Sequence, residues 1–191
     1  MFSNLHKYHV VLASNSPRRQ SLLKELGVDF TVKGSLGKET YAKDLDTLKV
    51  AEFLAIQKAD WFNSFENNEL YITADTVVVL EGDVLGKPSN VEEAKEMIRS
   101  LSNKKHEVVT GVCVKSKDKQ ESFSVATSVY FKELSEASIA YYVANFKPFD
   151  KAGSYGIQEW IGMTGISKIE GSYFNVVGLP TDVLFQVLKK F

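Results

Sequence analysis

The amino-acid sequence predicts an α/β protein built on a mixed β-sheet with flanking helices. Three observations point there. Apolar residues recur with the two-residue period of strands and the 3.6-residue period of helices in alternating segments. Two long β-rich runs, 107–115 and 121–132, flank a charged turn at Lys117-Asp118-Lys119 and read as a hairpin, which a purely parallel, doubly wound sheet would lack. The composition, 44% hydrophobic and 25% charged, is that of an ordinary globular protein. No repeat, low-complexity stretch or proline-rich linker divides the 191 residues, so one domain over 1–191 is expected. A chain of that size hides roughly 70% of its unfolded surface.

The elements follow in order. His9 to Ala13 reads as a short buried strand. Pro17 to Leu26 reads as a helix, with proline suited to the first turn, Leu22, Leu23 and Leu26 on one face, and Gly27 as its stop. Val28 to Val32 alternates like a strand. The segment 45–65 carries Leu48, Ala51, Phe53, Leu54, Ala55 and Ala59 and suits a long helix packed on one side. Tyr71-Ile72-Thr73-Ala74 and Val77-Val78-Val79-Leu80 form a strand pair or one long strand, and Glu81-Gly82-Asp83 a turn. Ser89-Asn90-Val91-Glu92 has the form of a capping box opening a helix. Ser135 caps a helix to about Phe146, residues 150–180 are glycine-rich and irregular, and a last helix runs from Pro180 to Lys189.

Several functions are disfavoured at once. A net charge of -1 gives no sign of a nucleic-acid or membrane binder. The first eight residues hold no apolar core of the kind a secretion signal needs, and no apolar run approaches the ~20 residues that span a bilayer, so a soluble, cytoplasmic protein is expected. Cys113, the single cysteine, sits in an apolar run and reads as a small buried hydrophobe rather than a reactive thiol. His6 and His9 lack a third ligand for zinc, and His106 heads a strand and reads as structural.

The chemistry-bearing residues begin at Ser14-Asn15-Ser16-Pro17-Arg18-Arg19. A strand ends, a polar turn follows, and a helix N-terminus offers unpaired N–H groups and a positive dipole end, an anion site in waiting. Ser14 and Ser16 add hydroxyls, and Arg18 and Arg19 add guanidiniums that match phosphate oxygens. Alone, the segment reads more readily as an ordinary N-cap followed by solvated arginines. Asp75 lies between two strongly apolar β-segments, where a carboxylate is costly unless paired, metal-bound or at a cleft. Lys58 in the long helix and Lys87 on the Gly86-Lys87-Pro88 turn are candidate phosphate partners, with a snorkelling surface side chain as the alternative for each.

The order of these blocks is more specific than any one of them. Leu12-Ala13-Ser14-x-Ser16-Pro17-Arg18-Arg19 is followed by Gln57-Lys58-Ala59, Ala74-Asp75-Thr76-Val77-Val78 and Gly86-Lys87-Pro88. Then come Asp150-Lys151-Ala152-Gly153-x-Tyr155-Gly156-Ile157-Gln158, Gly171-Ser172-Tyr173 and Val177-Gly178-Leu179-Pro180. From about residue 9 to 188 the chain resembles the Maf family of nucleoside triphosphate pyrophosphatases. The resemblance implies an elongated mixed sheet with flanking helices, two lobes around a central cleft, and cleavage of the α–β phosphoanhydride of a nucleoside triphosphate with a divalent metal, Mg or Mn. It makes Asp75 the general base and Arg18, Thr76 and Gln158 the markers of substrate choice. Ser-Pro-Arg-Arg with Tyr-Gly-Ile-Gln looks like the branch acting on dTTP and UTP, and some members also take modified pyrimidine nucleotides. The family's habit points to a homodimer.

Ser14, Ser16, Arg19, Lys58 and Lys87 then become the phosphate grip, with Lys151 a further candidate, and Asp75 with Glu39 in the loop after the second strand a candidate metal pair. A solvated loop charge is the alternative for Glu39. Thr73 stands where many members have glycine, Phe53 where an arginine is frequent, and Ser154 where alanine is common, departures that bear on fine specificity. Two other functions stay open: a pyrophosphatase for 7-methyl-GTP, which Gln158 and Arg18 disfavour, or for non-standard purine nucleotides, and a non-catalytic regulator of cell division.

Overall fold

The computed structural model describes residues 2–34, 36–62, 65 and 67–191. Seven strands form one mixed sheet: β1 (His9–Leu12), β2 (Thr31–Val32), β3 (Glu69–Leu80), β4 (Asp83–Leu85), β5 (Lys105–Lys115), β6 (Gln120–Phe131) and β7 (Ile166–Glu170), in the order β2-β1-β3-β5-β6-β7, with β4 paired to β3 off that path. β1 is parallel to both β2 and β3, while β3–β4 and β6–β7 are antiparallel. The predicted α/β class with a mixed sheet is the observed one. Every residue of β3 except Thr76 is buried, as expected of a strand covered on both faces. The two apolar runs around Asp75 are therefore one long strand.

The chain divides into two compact units. The first comprises Met1–Asp75, Thr110–Val125 and Gly178–Phe191. It holds α1 (Pro17–Glu25), α2 (Val50–Asp60) and the last helix, Thr181–Leu188. Ser16 caps α1 by accepting from the Arg19 N–H, Pro17 occupies the first turn, and Gly27 follows the end at φ 81°. Helix α2 buries Val50, Ala51, Leu54, Ala55, Lys58 and Ala59. It crosses β5 so closely that a Cβ on Gly111 would stand 2.2 Å from the Glu52 nitrogen, and only glycine fits there. Buried Cys113 packs with Ala55 and Ala59, and that burial pushes its thiol up to about 12.

Two expected elements in this unit are shorter than predicted. The strand expected over 28–32 is only Thr31–Val32, whose register partners on β1 are Val11 and Leu12. The helix expected over 45–65 is Val50–Asp60. An aspartate turn replaces its first residues: Asp46 accepts from the Leu48 N–H through its side chain and from the Lys49 N–H through its carbonyl. Residues 63 and 64 of that expected helix lie outside the described residues.

The second unit comprises Thr76–Val109 and Ala126–Val177. Helix α3 (Val91–Leu101) packs on α4 (Glu136–Phe146), joined by the two-pronged Arg99–Glu136 pair with both contacts at 2.7 Å. Ser135 caps α4 as predicted, by accepting from the Ser138 N–H. The cap of α3 is displaced by one residue from the expected box. Asn90 accepts from the Glu93 N–H, and the Glu93 carboxylate, rather than that of Glu92, takes the Ser89 N–H and hydroxyl. Residues 150–180 are more regular than their glycines foretold, with α5 (Trp160–Gly165), β7, α6 (Tyr173–Val177) and a 3-10 turn at Ala152–Ser154. His106 is structural: it is 2% exposed, its Nε2 lies 2.8 Å from the Tyr155 hydroxyl, and Phe131 packs edge-on against it. Among the described residues no helix is long and apolar enough to cross a membrane.

Candidate active site

The turn between β1 and α1 is held by its own side chains. The Ser14 hydroxyl accepts from the Ser16 N–H at 3.3 Å and from Arg19 Nη1 at 3.4 Å. Arg19 reaches further, donating Nε to the Gly178 carbonyl at 2.8 Å and Nη1 to the Ala74 carbonyl at 3.0 Å. The guanidinium thus ties the turn to β3, one residue before Asp75. Burial lowers its pKa, and the Asp75 carboxylate opposes that shift. Arg18, the next residue back, is half-buried on the first turn of α1.

Asp75 is 9% exposed in the middle of β3. Lys58, 7% exposed, comes up from α2 to place Nζ 2.5 Å from Asp75 Oδ1, 2.9 Å from Glu39 Oε1 and 3.3 Å from the Ala74 carbonyl. The snorkelling alternative for Lys58 does not hold, and Glu39 is not a free loop charge. A buried ammonium needs charge partners, since its desolvation costs several kcal/mol. Here one lysine is bracketed by two carboxylates, and its carbonyl acceptor is shared with Arg19. Ser14, Ser16, Arg19, Lys58, Glu39 and Asp75 therefore form one connected group within the first unit.

Two residues that support this group had no role assigned from sequence. Thr73, fully buried, donates its hydroxyl to the Ala55 carbonyl at 2.6 Å and so pins β3 to α2 two residues before Asp75. Its appearance in place of a common glycine was the visible signal. Gln57 holds the Thr40 backbone through two hydrogen bonds, beside Glu39. Its place in the Gln57-Lys58-Ala59 block was the only hint.

The remaining candidates lie in the second unit. Thr76 is the one half-buried residue of β3. Lys87 and Gln158 are exposed, and the Gly86 carbonyl beside Lys87 accepts from the Gly153 N–H at 3.0 Å, which ties the Lys87 turn to the Lys151 turn. Lys151 is 8% exposed and contacts Asp150 Oδ1 at 2.6 Å and Glu159 Oε1 at 3.1 Å. Glu159 also accepts from the Tyr142 hydroxyl, which in turn accepts from the Gly156 N–H at 2.9 Å. Burial, with the Glu159 carboxylate, pushes the Tyr142 phenol well above its ordinary value, so it stays a donor. A Cβ on Gly156 would come within 2.9 Å of the Glu159 carboxyl carbon, so a larger residue there would displace that side chain. Glu159 and Tyr142 carried no signal in the sequence.

Among the described residues no three histidine, cysteine or acidic side chains gather in one group. The acidic pair at Lys58 is the concentration of hard oxygen donors in the first unit's group.

Known proteins give this arrangement a context. The family described as Maf-like protein matches residues 9–191. A dTTP/UTP pyrophosphatase of Phocaeicola vulgatus is 50% identical over 192 residues, covering 100% of each chain. The protein of the same name from Bacteroides thetaiotaomicron is also 50% identical over 192 residues with 100% coverage of both. That from Porphyromonas gingivalis is 47% identical over 195 residues, covering 100% of this chain and 98% of its own. With the family's match running from the first strand to the last residue, and half of all positions shared with full-length relatives, this chain belongs to the Maf family.

Proposed function

We propose that this protein hydrolyses dTTP and UTP to the nucleoside monophosphate and pyrophosphate, modified pyrimidine nucleotides being further candidates. The full-length relatives named for that activity support the substrate class. The observation that carries the chemistry is the buried Asp75 carboxylate with Lys58 Nζ at 2.5 Å and the Arg19 guanidinium one carbonyl away. In this reading water attacks the α-phosphorus and gives its proton to Asp75. The bond from that phosphorus to the α–β bridging oxygen breaks, and the bridging oxygen leaves with pyrophosphate. Little covalent work falls to the protein, so positioning and charge neutralisation dominate. Lys58, Arg19, both serines and the α1 N-terminus supply positive potential and donors. The reading also gives phosphate contacts to Lys87 and Lys151, and substrate choice to Arg18, Thr76 and Gln158.

The donor chemistry fits a divalent cation. Asp75 and Glu39 present carboxylate oxygens to the same Nζ, so these two oxygens are no farther apart than the sum of those two contacts. Magnesium sites commonly use one or two carboxylates together with substrate phosphates. Asp75 and Glu39 would hold the ion, Mg or Mn, which when bound lowers the pKa of a coordinated water and neutralises phosphate charge. A cytoplasmic homodimer that contacts no nucleic acid completes the proposal, the last point supported by the net charge of -1.

The test is pyrophosphate release with magnesium from a panel that includes dTTP, UTP, 7-methyl-GTP and deaminated purine triphosphates. Release from dTTP and UTP is expected, falling at least ~10²-fold in Asp75→Asn, the scale for losing a general base. No release from either pyrimidine, or equal release by the variant, would reject the proposal.

A further inference from the structure

The loop that carries Glu39 lies along one face of α2. At Gly37 its backbone approaches the Trp61 indole so closely that a Cβ would stand 2.6 Å from the ring. One helical turn earlier on the same face, Gln57 grips Thr40 twice. The Thr40 N–H donates to Gln57 Oε1 at 3.1 Å, and Gln57 Nε2 donates to the Thr40 carbonyl at 2.9 Å. Glu39 lies within this stretch, and its carboxylate meets Nζ of Lys58, the residue after Gln57, at 2.9 Å. A single hydrogen bond would leave the loop free to swing about it, whereas two to one residue's backbone fix its direction. The side chain must offer one donor and one acceptor, which a glutamine amide does and a lysine or glutamate does not.

We propose that Gln57 is a positioning residue: by clamping Thr40 it delivers the Glu39 carboxylate to Lys58, and so assembles the Glu39–Asp75 pair that takes a divalent cation. The kinetic part of this inference rests on the nucleotide-hydrolysis reading, while the binding part does not.

The experiment measures binding of Mn²⁺ alone, without nucleotide, from the electron paramagnetic resonance signal of the free ion. Wild type is compared with Gln57→Met, Gln57→Ala, Glu39→Gln and the double variant Gln57→Met/Glu39→Gln. Gln57→Met keeps side-chain length on the helix and removes both hydrogen bonds. Each Gln57 variant is expected to weaken Mn²⁺ binding about 10-fold, the scale for losing a residue that orients a ligand. Glu39→Gln should do likewise, and the double variant should lose no more than Glu39→Gln alone, because the clamp acts only through Glu39. Thermal unfolding midpoints should stay close to wild type. Unchanged Mn²⁺ affinity in any single variant, or losses that add in the double variant, would overturn the proposal. So would a lowered melting point unaccompanied by weaker binding, the mark of a merely structural clamp. In the kinetic arm, saturating Mn²⁺ should restore pyrophosphate release in the Gln57 variants, and a deficit that it leaves untouched would also overturn the proposal. If the wild type released no pyrophosphate at all, the function reading would fall while the binding comparison still decided the clamp.

Discussion

Each unit contains a buried lysine flanked by two carboxylates, and the two groups are built differently. In the first, Lys58 on α2 meets Asp75 on β3 and Glu39 on a loop, residues from three separate stretches of chain. In the second, Lys151 meets its immediate neighbour Asp150 and, eight positions on, Glu159. The first group adds a second cation, Arg19, which shares the Ala74 carbonyl with Lys58. The second adds a neutral phenol, Tyr142, which occupies Glu159. Burying a lysine therefore does not by itself make an anion site. Where two cations face two carboxylates the group is close to neutral, and it opposes an incoming phosphate less than a group with an excess of carboxylate does. Where two carboxylates share one lysine, the group carries a net negative charge and braces a local turn, so a phosphate contact from Lys151 requires that pairing to loosen.

The largest difference should appear in stability when each lysine is removed. Lys58→Met leaves Asp75 buried without its ion partner, and such a loss typically costs about 3–5 kcal/mol. Lys151→Met should cost only about 1 kcal/mol, because the Asp150 side chain is 59% exposed and water can take the lysine's place. Denaturant unfolding of the two variants checks this, and equal losses would erase the distinction between the groups.

A second contrast concerns acid. Burial holds His106 in the second unit at about 4, against 6.5 for the free side chain. The unfolded chain therefore takes up a proton that the folded chain refuses. The stability from this residue is complete above pH 6.5 and is lost as pH falls towards 4, by up to about 3 kcal/mol. Unfolding curves between pH 7 and 4 (roughly the window set by these two values) should show that slope in the wild type and a shallower one in His106→Gln. An unchanged slope in the variant would assign the acid sensitivity elsewhere.

The narrowest contrast is expected for Tyr142→Phe, whose effect stays local to the second group. Removing the hydroxyl leaves the Gly156 N–H and one Glu159 oxygen without their partner, at about 1–3 kcal/mol if water does not enter. If the second group is a local brace, this change should loosen the 150–159 turn in hydrogen exchange and leave Mn²⁺ binding at the Asp75 group intact. A drop in Mn²⁺ affinity would contradict that separation.

The candidate residues were legible in the sequence to unequal degrees. Ser14 to Arg19 announced an anion turn because a strand, two hydroxyls, a proline and two arginines fall in one short stretch, and local chemistry is what a linear pattern records. Asp75 stood out because a charge interrupts an apolar strand. The Lys58 partners were not legible, since a lysine on a helix face looks the same whether it snorkels or is buried under a loop. Gln57, Glu159 and Tyr142 were missed for a related reason: polar side chains that orient other polar side chains carry no period and no spacing rule. The displaced cap of α3 is a finer case. Serine and asparagine are both competent caps, and the choice between them rests on backbone geometry one residue apart.

By itself the sequence determined the α/β class, the hairpin of β5 and β6, the capped start of α4, and the ordered blocks that mark a Maf protein. These follow from propensity, period and neighbouring chemistry, all of which act over a few residues. Only the tertiary structure decided that Lys58 lies against both Asp75 and Glu39, that Arg19 spans from α1 to the Ala74 and Gly178 carbonyls, and that Thr73 locks β3 to α2. Desolvated charges and buried hydroxyls must find partners wherever the fold brings them, and that proximity is a property of the packed chain rather than of the order of its residues.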